Sequence, residues 1–240
     1  MLDEENVLEE NIENWKKTKQ YIEAIKYGID SISKGEKVHT DIMKEINKIL
    51  AIEEAQKKYS GKIRNTQNWI NGTTPLDAEY IPPPYTELAD CLSDFEKFVD
   101  NDNTNTPDIV KLAMLHYQFE TIHPFIGENG KIGRIIIPLY LQSKGMLDKS
   151  CLYVSEYLEK NKDKYFNELM NVRNSSDIIR WIKFFLQAVI ETAKITKNRL
   201  KRLVELKKEM DRVSITLPVK PDNAIKVIEV LYEEPIIDRL

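Results

Sequence analysis

Twelve consecutive residues bring together a histidine, an asparagine among glycines, an acid and two cations: His123-Pro124-Phe125-Ile126-Gly127-Glu128-Asn129-Gly130-Lys131-Ile132-Gly133-Arg134. An imidazole takes up or releases a proton near neutral pH. A glycine-rich turn that opens a helix points backbone N–H groups at an anion, and the helix dipole favours negative charge there. Lys131 and Arg134 are three residues apart, so on a helix they share a face and both reach phosphate oxygens. A base beside a phosphate cradle is equipment for attaching a hydroxyl to a nucleotide.

The flanking sequence must hold that stretch still. Residues 108–122 read as a helix that buries Val110, Ala113, Met114, Tyr117 and Phe119 and delivers His123 at its end. Pro124 stops it by removing an N–H and restricting the residue before it. From Lys131 to about Lys144 the chain is almost uniformly apolar, through Ile135, Ile136, Ile137, Leu139, Tyr140 and Leu141. A helix apolar on most sides belongs at the centre of a bundle, so the stretch is anchored between two core helices.

Elsewhere the pattern is also helical. Residues 7–33 carry Ile12, Trp15, Ile22, Ile25 and Ile29 at helical spacing, with Gly35 close behind, and Thr40-Asp41 opens a second helix through Met43, Ile46, Ile49 and Leu50. Over 60–84 the period gives way to Gly, Asn, Thr and Pro. Asn71-Gly72, with Glu79-Tyr80-Ile81 as a return arm, suggests a loose β-hairpin ended by Pro82-Pro83-Pro84. Further helices are expected over about 85–99, 155–172 and 177–212, and a short one over 224–232. The expected fold is all-α, a helical bundle with a small hairpin.

With 240 residues, 42% hydrophobic and 31% charged, the chain suits a globular domain, and a net charge of −4 gives no reason to expect nucleic acid or anionic lipid as a partner. No apolar run approaches the roughly 20 residues that cross a membrane, and the acidic N-terminus does not resemble a signal peptide. Cys91 and Cys151 lack metal-ligand spacing and read as reduced thiols of a cytoplasmic protein.

The twelve-residue stretch is similar to the signature of the Fic family, whose usual form reads His-Pro-Phe-x-Asp/Glu-Gly-Asn-Gly-Arg-x-x-Arg. The resemblance extends through Gln67-Asn68-Trp69-Ile70, Ile81-Pro82-Pro83-Pro84, the lead-in from His116 to Ile122, and residues 135–141, and covers roughly residues 15–235. It implies a Fic-type bundle: an N-terminal helical region over 1–55, a core over 56–196 with a flap at about 62–84 and the signature loop at 123–134, and a C-terminal helical extension over 197–240.

The implied activity is transfer of AMP from ATP to a Tyr, Thr or Ser hydroxyl of a target protein in the bacterial cytoplasm, with Mg²⁺ as cofactor. His123 matches the catalytic base, and Phe125 the residue that docks the loop on the core. Asn129 and Gly130 match the anion-binding turn, with the Asn129 amide as a donor and Gly133 beside it. Arg134 matches the second motif arginine. Tyr165 and Arg173 resemble the nucleoside pocket, with Tyr165 against a purine; an amphipathic helix explains the same stretch. The flap at Gln67, Asn68 and Trp69 resembles the family's docking edge for the target, which includes the chain itself, although a covered structural hairpin fits those residues equally. A homodimer is compatible with this reading; membrane and DNA are not expected partners.

This sequence departs from the usual motif at three positions. The acidic position is Gly127 and the following glycine is Glu128, so the acid is displaced by one residue; Glu128 reads either as a metal ligand or as a solvated carboxylate. Lys131 replaces the first motif arginine and loses its planar fork. These changes leave open a nucleotide-binding regulator with impaired chemistry, or a Fic enzyme using another phosphate-containing donor. The family's inhibitory Ser/Thr-x-x-x-Glu-Gly helix finds no match before residue 60, and the tail is too short for a winged-helix module. His39 and His116 read as core histidines, and the basic stretch 197–208 as a bundle helix with a solvated face.

Overall fold

The computed structural model of the chain describes residues 2–51, 57–103, 105–149, 151–216 and 225–230. Its helices are α1 (Leu2–Ser33), α2 (Thr40–Leu50), α3 (Leu88–Asp100), α4 (Asp108–Ile122), α5 (Asn129–Ser143), α6 (Ser155–Lys160), α7 (Lys162–Ser175) and α8 (Ile178–Thr216), with a 3-10 turn at Tyr85–Glu87. The fold is all-α.

The apolar run after the signature loop forms the centre of the bundle. Ile132, Ile135, Ile136, Ile137, Leu139 and Tyr140 of α5 are all at most 1% exposed, and α5 packs against α1, α2 and α4. Close approach of α1 requires Gly28, where a Cβ would lie 2.5 Å from Leu139 Cδ1. α3 packs on α4, with Phe95 edge-on to Phe119 at 6.4 Å. α5 starts at Asn129, two residues earlier than the apolar pattern suggests. It contains Pro138, which leaves the Arg134 carbonyl without its helical N–H donor.

Three expectations need correction. The helix expected over 155–172 is broken at Asn161, whose φ of −118° and ψ of 32° separate α6 from α7. The hairpin is reduced to one antiparallel bridge, between Ile70 and Tyr80. Its turn is wide because Asp77 accepts from the backbone N–H and hydroxyl groups of both Thr73 and Thr74, and the prolines after Ile81 have no N–H to extend a ladder. His39 is a surface residue, not a core one: its Nε2 lies 2.9 Å from Asp100 Oδ1.

The chain divides into two units, Met1–Thr192 and Ala193–Leu240. The first contains the core described above. In the second, the described residues continue α8 with Leu200, Leu203 and Val204 exposed, followed by a helical segment over 225–230. The rest of the expected 224–232 helix, and the 55/56 boundary, lie outside the described residues. Among the described residues no helix is long and apolar enough to cross a membrane.

Candidate active site

α4 ends by a change of backbone hand at His123, which has φ 48° and ψ 60°. Pro124 supplies no N–H to continue the helix, and Phe125, 1% exposed, pins the loop to the core. The chain turns left-handed again at Glu128, φ 67°, and enters α5. The first N–H groups of α5 have no intrahelical acceptor, so the turn at Gly130 is a local positive pole.

Five of the expected site residues meet at one cavity of about 190 Å³: His123, Gly130, Arg134, Tyr165 and Arg173. Ile70, Phe166, Leu169 and Met170 give it an apolar side, and Glu79, Tyr80 and Glu120 complete the lining. Burial pushes the His123 imidazole down to about 4, opposed only in part by the Glu120 carbonyl. The ring is therefore neutral at pH 7 and able to accept a proton, and its Nδ1 is buried without a hydrogen-bond partner. The Arg173 guanidinium carbon lies 3.3 Å from the centroid of the Tyr80 ring, a cation–π contact, and the Tyr80 hydroxyl donates to the Thr121 carbonyl at 2.9 Å. The bridge of the flap thereby holds one cation of the cavity.

The other expected site residues are placed differently. Asn129 is 2% exposed; its Oδ1 accepts from Phe125 N at 3.0 Å and its Nδ2 donates to Phe125 O at 2.8 Å. Its amide closes the loop on itself instead of pointing at an anion. Gly133 is a packing residue, because a Cβ there would collide with a Glu120 carboxylate oxygen, and its carbonyl bonds His116 Nδ1 at 3.1 Å. Gly127 and Glu128 line a separate small pocket with Asn47, Ala51, Tyr59 and Ile126, and the Gly127 carbonyl accepts from Asn47 Nδ2 at 3.1 Å. Lys131 pairs with Glu128 at 2.6 Å.

Tyr165 reaches the cavity, but most of its ring is committed elsewhere. It is 7% exposed, its hydroxyl is 3.1 Å from His116 Nε2, and it packs among Phe166, Trp181 and Phe184. So little of the ring is open that it cannot offer a ligand the full stacking face expected. His116, fully buried and pushed down to about 4 by burial, stacks on Trp181 at 6.0 Å as part of the same cluster.

Two residues of the site have no signal in the local pattern. Glu120 is one helical turn before His123, 6% exposed, with Oε1 unpaired; burial raises its carboxyl to about 7 against the pull of Arg134 and Arg173. Arg64, 3% exposed, reaches the carbonyls of Ile122, His123, Thr66 and Pro83. Nothing in the sequence around either residue shows which distant segment it meets.

The carboxylates that line the His123 cavity are Glu79 and Glu120, not the expected metal ligand Glu128. The Glu128 carboxylate is neutralised by Lys131 and opens on the other pocket, and among the described residues no three of His, Cys, Asp and Glu gather around a point.

A family model described as the Fic/DOC family matches residues 36–141, the span that includes the flap, His123 and the first turn of α5. The chain carries a Fic/DOC domain. It is 26% identical over 133 residues to the protein adenylyltransferase Fic of Drosophila grimshawi, covering 55% of this chain and 25% of that protein. It is 31% identical over 87 residues to the protein adenylyltransferase fic-1 of Caenorhabditis elegans, covering 36% of this chain and 16% of that protein. The chain spans about a quarter or less of the length of these curated relatives.

Two solved structures share the fold. A Fic family protein from Desulfovibrio desulfuricans superposes with a TM-score of 0.60 at 20% identity, over 76% of this chain and 53% of that one. A Fic domain containing signaling protein from Bacteroides thetaiotaomicron gives 0.59 at 16% identity, over 78% and 74%. The Fic domain here thus keeps the family's helical frame while its signature loop departs at Gly127, Glu128 and Lys131.

Proposed function

We propose that this chain is a protein adenylyltransferase that moves AMP from ATP to a Tyr, Thr or Ser hydroxyl of a target protein. One observation carries the proposal. A histidine held neutral by burial shares a cavity with the first turn of a helix and with two arginines, Arg134 and Arg173. His123 takes the proton of the incoming hydroxyl, whose oxygen forms a bond to the α-phosphorus. The bond from that phosphorus to the bridging oxygen breaks, and pyrophosphate leaves with the electron pair. Arg134 and the Gly130 turn sit where charge builds on the phosphates, the placement that lowers such barriers most. The apolar side at Ile70, Phe166, Leu169 and Met170 suits a nucleobase.

The target segment docks along the flap arm 67–70, by main-chain pairing more than by the Gln67 and Asn68 side chains. Those amides already brace the arm, Gln67 Nε2 on the Pro82 carbonyl at 2.9 Å and Asn68 Nδ2 on the Phe125 carbonyl at 3.3 Å. Trp69, 38% exposed, remains open to a partner.

A second reading rests on the Glu128–Lys131 pair. With the loop acid neutralised, the chain binds nucleotide as a regulator and transfers nothing. One experiment separates the two: α-labelled ATP with Mg²⁺ is incubated with the chain alone and with cell lysate, beside His123→Asn. Label that needs His123 supports transfer. ATP binding without label supports the regulator, and equal label in both samples removes His123 as the base.

A further inference from the structure

We infer that Arg64 is a positioning residue that ties the two ends of the target-docking hairpin to the His123 backbone and so sets the direction of the imidazole. The inference rests on the adenylyltransferase reading for its meaning, but its geometry is independent of it.

Arg64 lies at the start of the flap and is 3% exposed. Its Nε–H donates to the His123 carbonyl at 3.0 Å. Nη2 donates to the Pro83 carbonyl at 2.6 Å and, more weakly, to that of Ile122 at 3.4 Å. Nη1 donates to the Thr66 carbonyl at 3.1 Å, and the Arg64 backbone N–H to the Pro124 carbonyl at 2.9 Å. Thr66 and Pro83 flank the Ile70–Tyr80 bridge, whereas Ile122 ends α4 and His123 and Pro124 follow it directly. One planar fork therefore spans both segments.

The left-handed turn at His123 makes this contact matter. At φ 48° and ψ 60° the peptide unit carrying the His123 carbonyl leaves the helix path, and that carbonyl has no α-helical donor. A guanidinium presents its N–H groups in fixed directions, so it holds this peptide plane at a set angle to the hairpin. A strand of target laid on the hairpin then meets a base whose backbone is referenced to the same hairpin.

The charge is a second sign that Arg64 does more than fill space. Its acceptors are neutral main-chain carbonyls, and burial pushes its guanidinium below the usual range. A buried cation without a carboxylate is an expensive latch, but it repels a proton from the neighbouring imidazole, on which Arg64 acts in that sense.

Arg64→Lys and Arg64→Gln test this, with kcat and KM for ATP from label transfer, the fraction folded from circular dichroism, and His123 ring-nitrogen shifts from NMR on histidine-labelled protein. Arg64→Lys keeps a cation but loses the fork. Its kcat should fall roughly 10- to 100-fold, in line with the cost of a misplaced reacting group, while KM for ATP stays within about twofold and the His123 shifts move. Arg64→Gln should also raise the pH at which His123 protonates. Wild-type kcat in Arg64→Lys, or a loss no larger than the unfolded fraction explains, would overturn the inference. If the wild type transfers no label, the adenylyltransferase reading fails by itself; unchanged His123 shifts in Arg64→Lys would then still sink the positioning role.

Discussion

Glu128 and Lys131 close a 2.6 Å ion pair across the first turn of α5, so two of the three departures from the usual Fic signature neutralise each other. Glu128 also occupies a left-handed position, φ 67°, where the usual signature has glycine. The double variant Gly127→Asp, Glu128→Gly restores the usual order of the signature and puts glycine at the left-handed position. Loss of the left-handed glutamate should add about 1 kcal/mol of stability, less the small worth of the pair. Label transfer should become Mg²⁺-dependent and rise about tenfold or more, equivalent to about 1.4 kcal/mol. Unchanged activity across a Mg²⁺ titration would mean that the displaced acid is not limiting.

Arg134 and Lys131 share a helix face in the sequence, but only Arg134 lines the cavity with His123. Arg134→Ala should weaken ATP binding by roughly 10- to 100-fold, the loss of a charge-assisted hydrogen bond. Lys131→Ala should change the dissociation constant by no more than about twofold. Calorimetric titration of ATP into both variants checks this, and equal losses would contradict the separation.

With its imidazole pushed down to about 4, His123 stays neutral well below the usual histidine range. The acid limb of the transfer rate should therefore lie below about pH 5, not near 6.5. Single-turnover rates between pH 5 and 8 measure this; a half-loss at pH 6.5 would mean the imidazole is more solvated than its surroundings imply.

Stability carries opposite signatures from the buried acid and the buried bases. Glu120 titrates near 7 folded and near 4.5 unfolded, so the folded state keeps a proton that the unfolded state releases. Its contribution falls as pH rises through that window, by about 3 kcal/mol in all. His116 and His123 titrate near 4 folded and about 6.5 unfolded, so stability is lost as pH falls below 6.5. Glu120→Gln should therefore gain on the wild type by about 3 kcal/mol between pH 4.5 and pH 8. Urea midpoints at several pH values measure that difference, and a gap that does not change with pH would refute it.

Asn129 bonds both backbone groups of Phe125. Asn129→Ala should cost about 2–3 kcal/mol of stability by leaving buried main-chain groups unpaired, and activity should fall through disorder of the loop. Thermal melts distinguish this from loss of a phosphate contact, which would leave the melting temperature unchanged.

The helical frame was legible where a local pattern settles it. The apolar stripe of α5, the stop at Pro124 and the span of α4 follow from residues within a few positions of one another. What the local pattern does not contain is the partner. Glu120 and Arg64 become site residues because α5 brings Gly133 against Glu120 and because the base of the flap runs past the end of α4. For Asn129 the residue was legible but the direction of its amide was not, since it depends on a carbonyl and an N–H four positions away that are free only because the loop is not helical. The single-bridge hairpin follows from Asp77 and from the prolines after Ile81, which are local signals, whereas nothing in the structure explains the break at Asn161.

The left-handed turn at His123 also governs how that position can be replaced. A side chain there must tolerate a region that asparagine and glycine enter readily and that alanine resists. His123→Ala would remove the imidazole and push the end of α4 towards another backbone state, confounding chemistry with shape. His123→Asn removes only the base. The conformation of one residue thus selects the control against which every activity assigned to this loop should be judged.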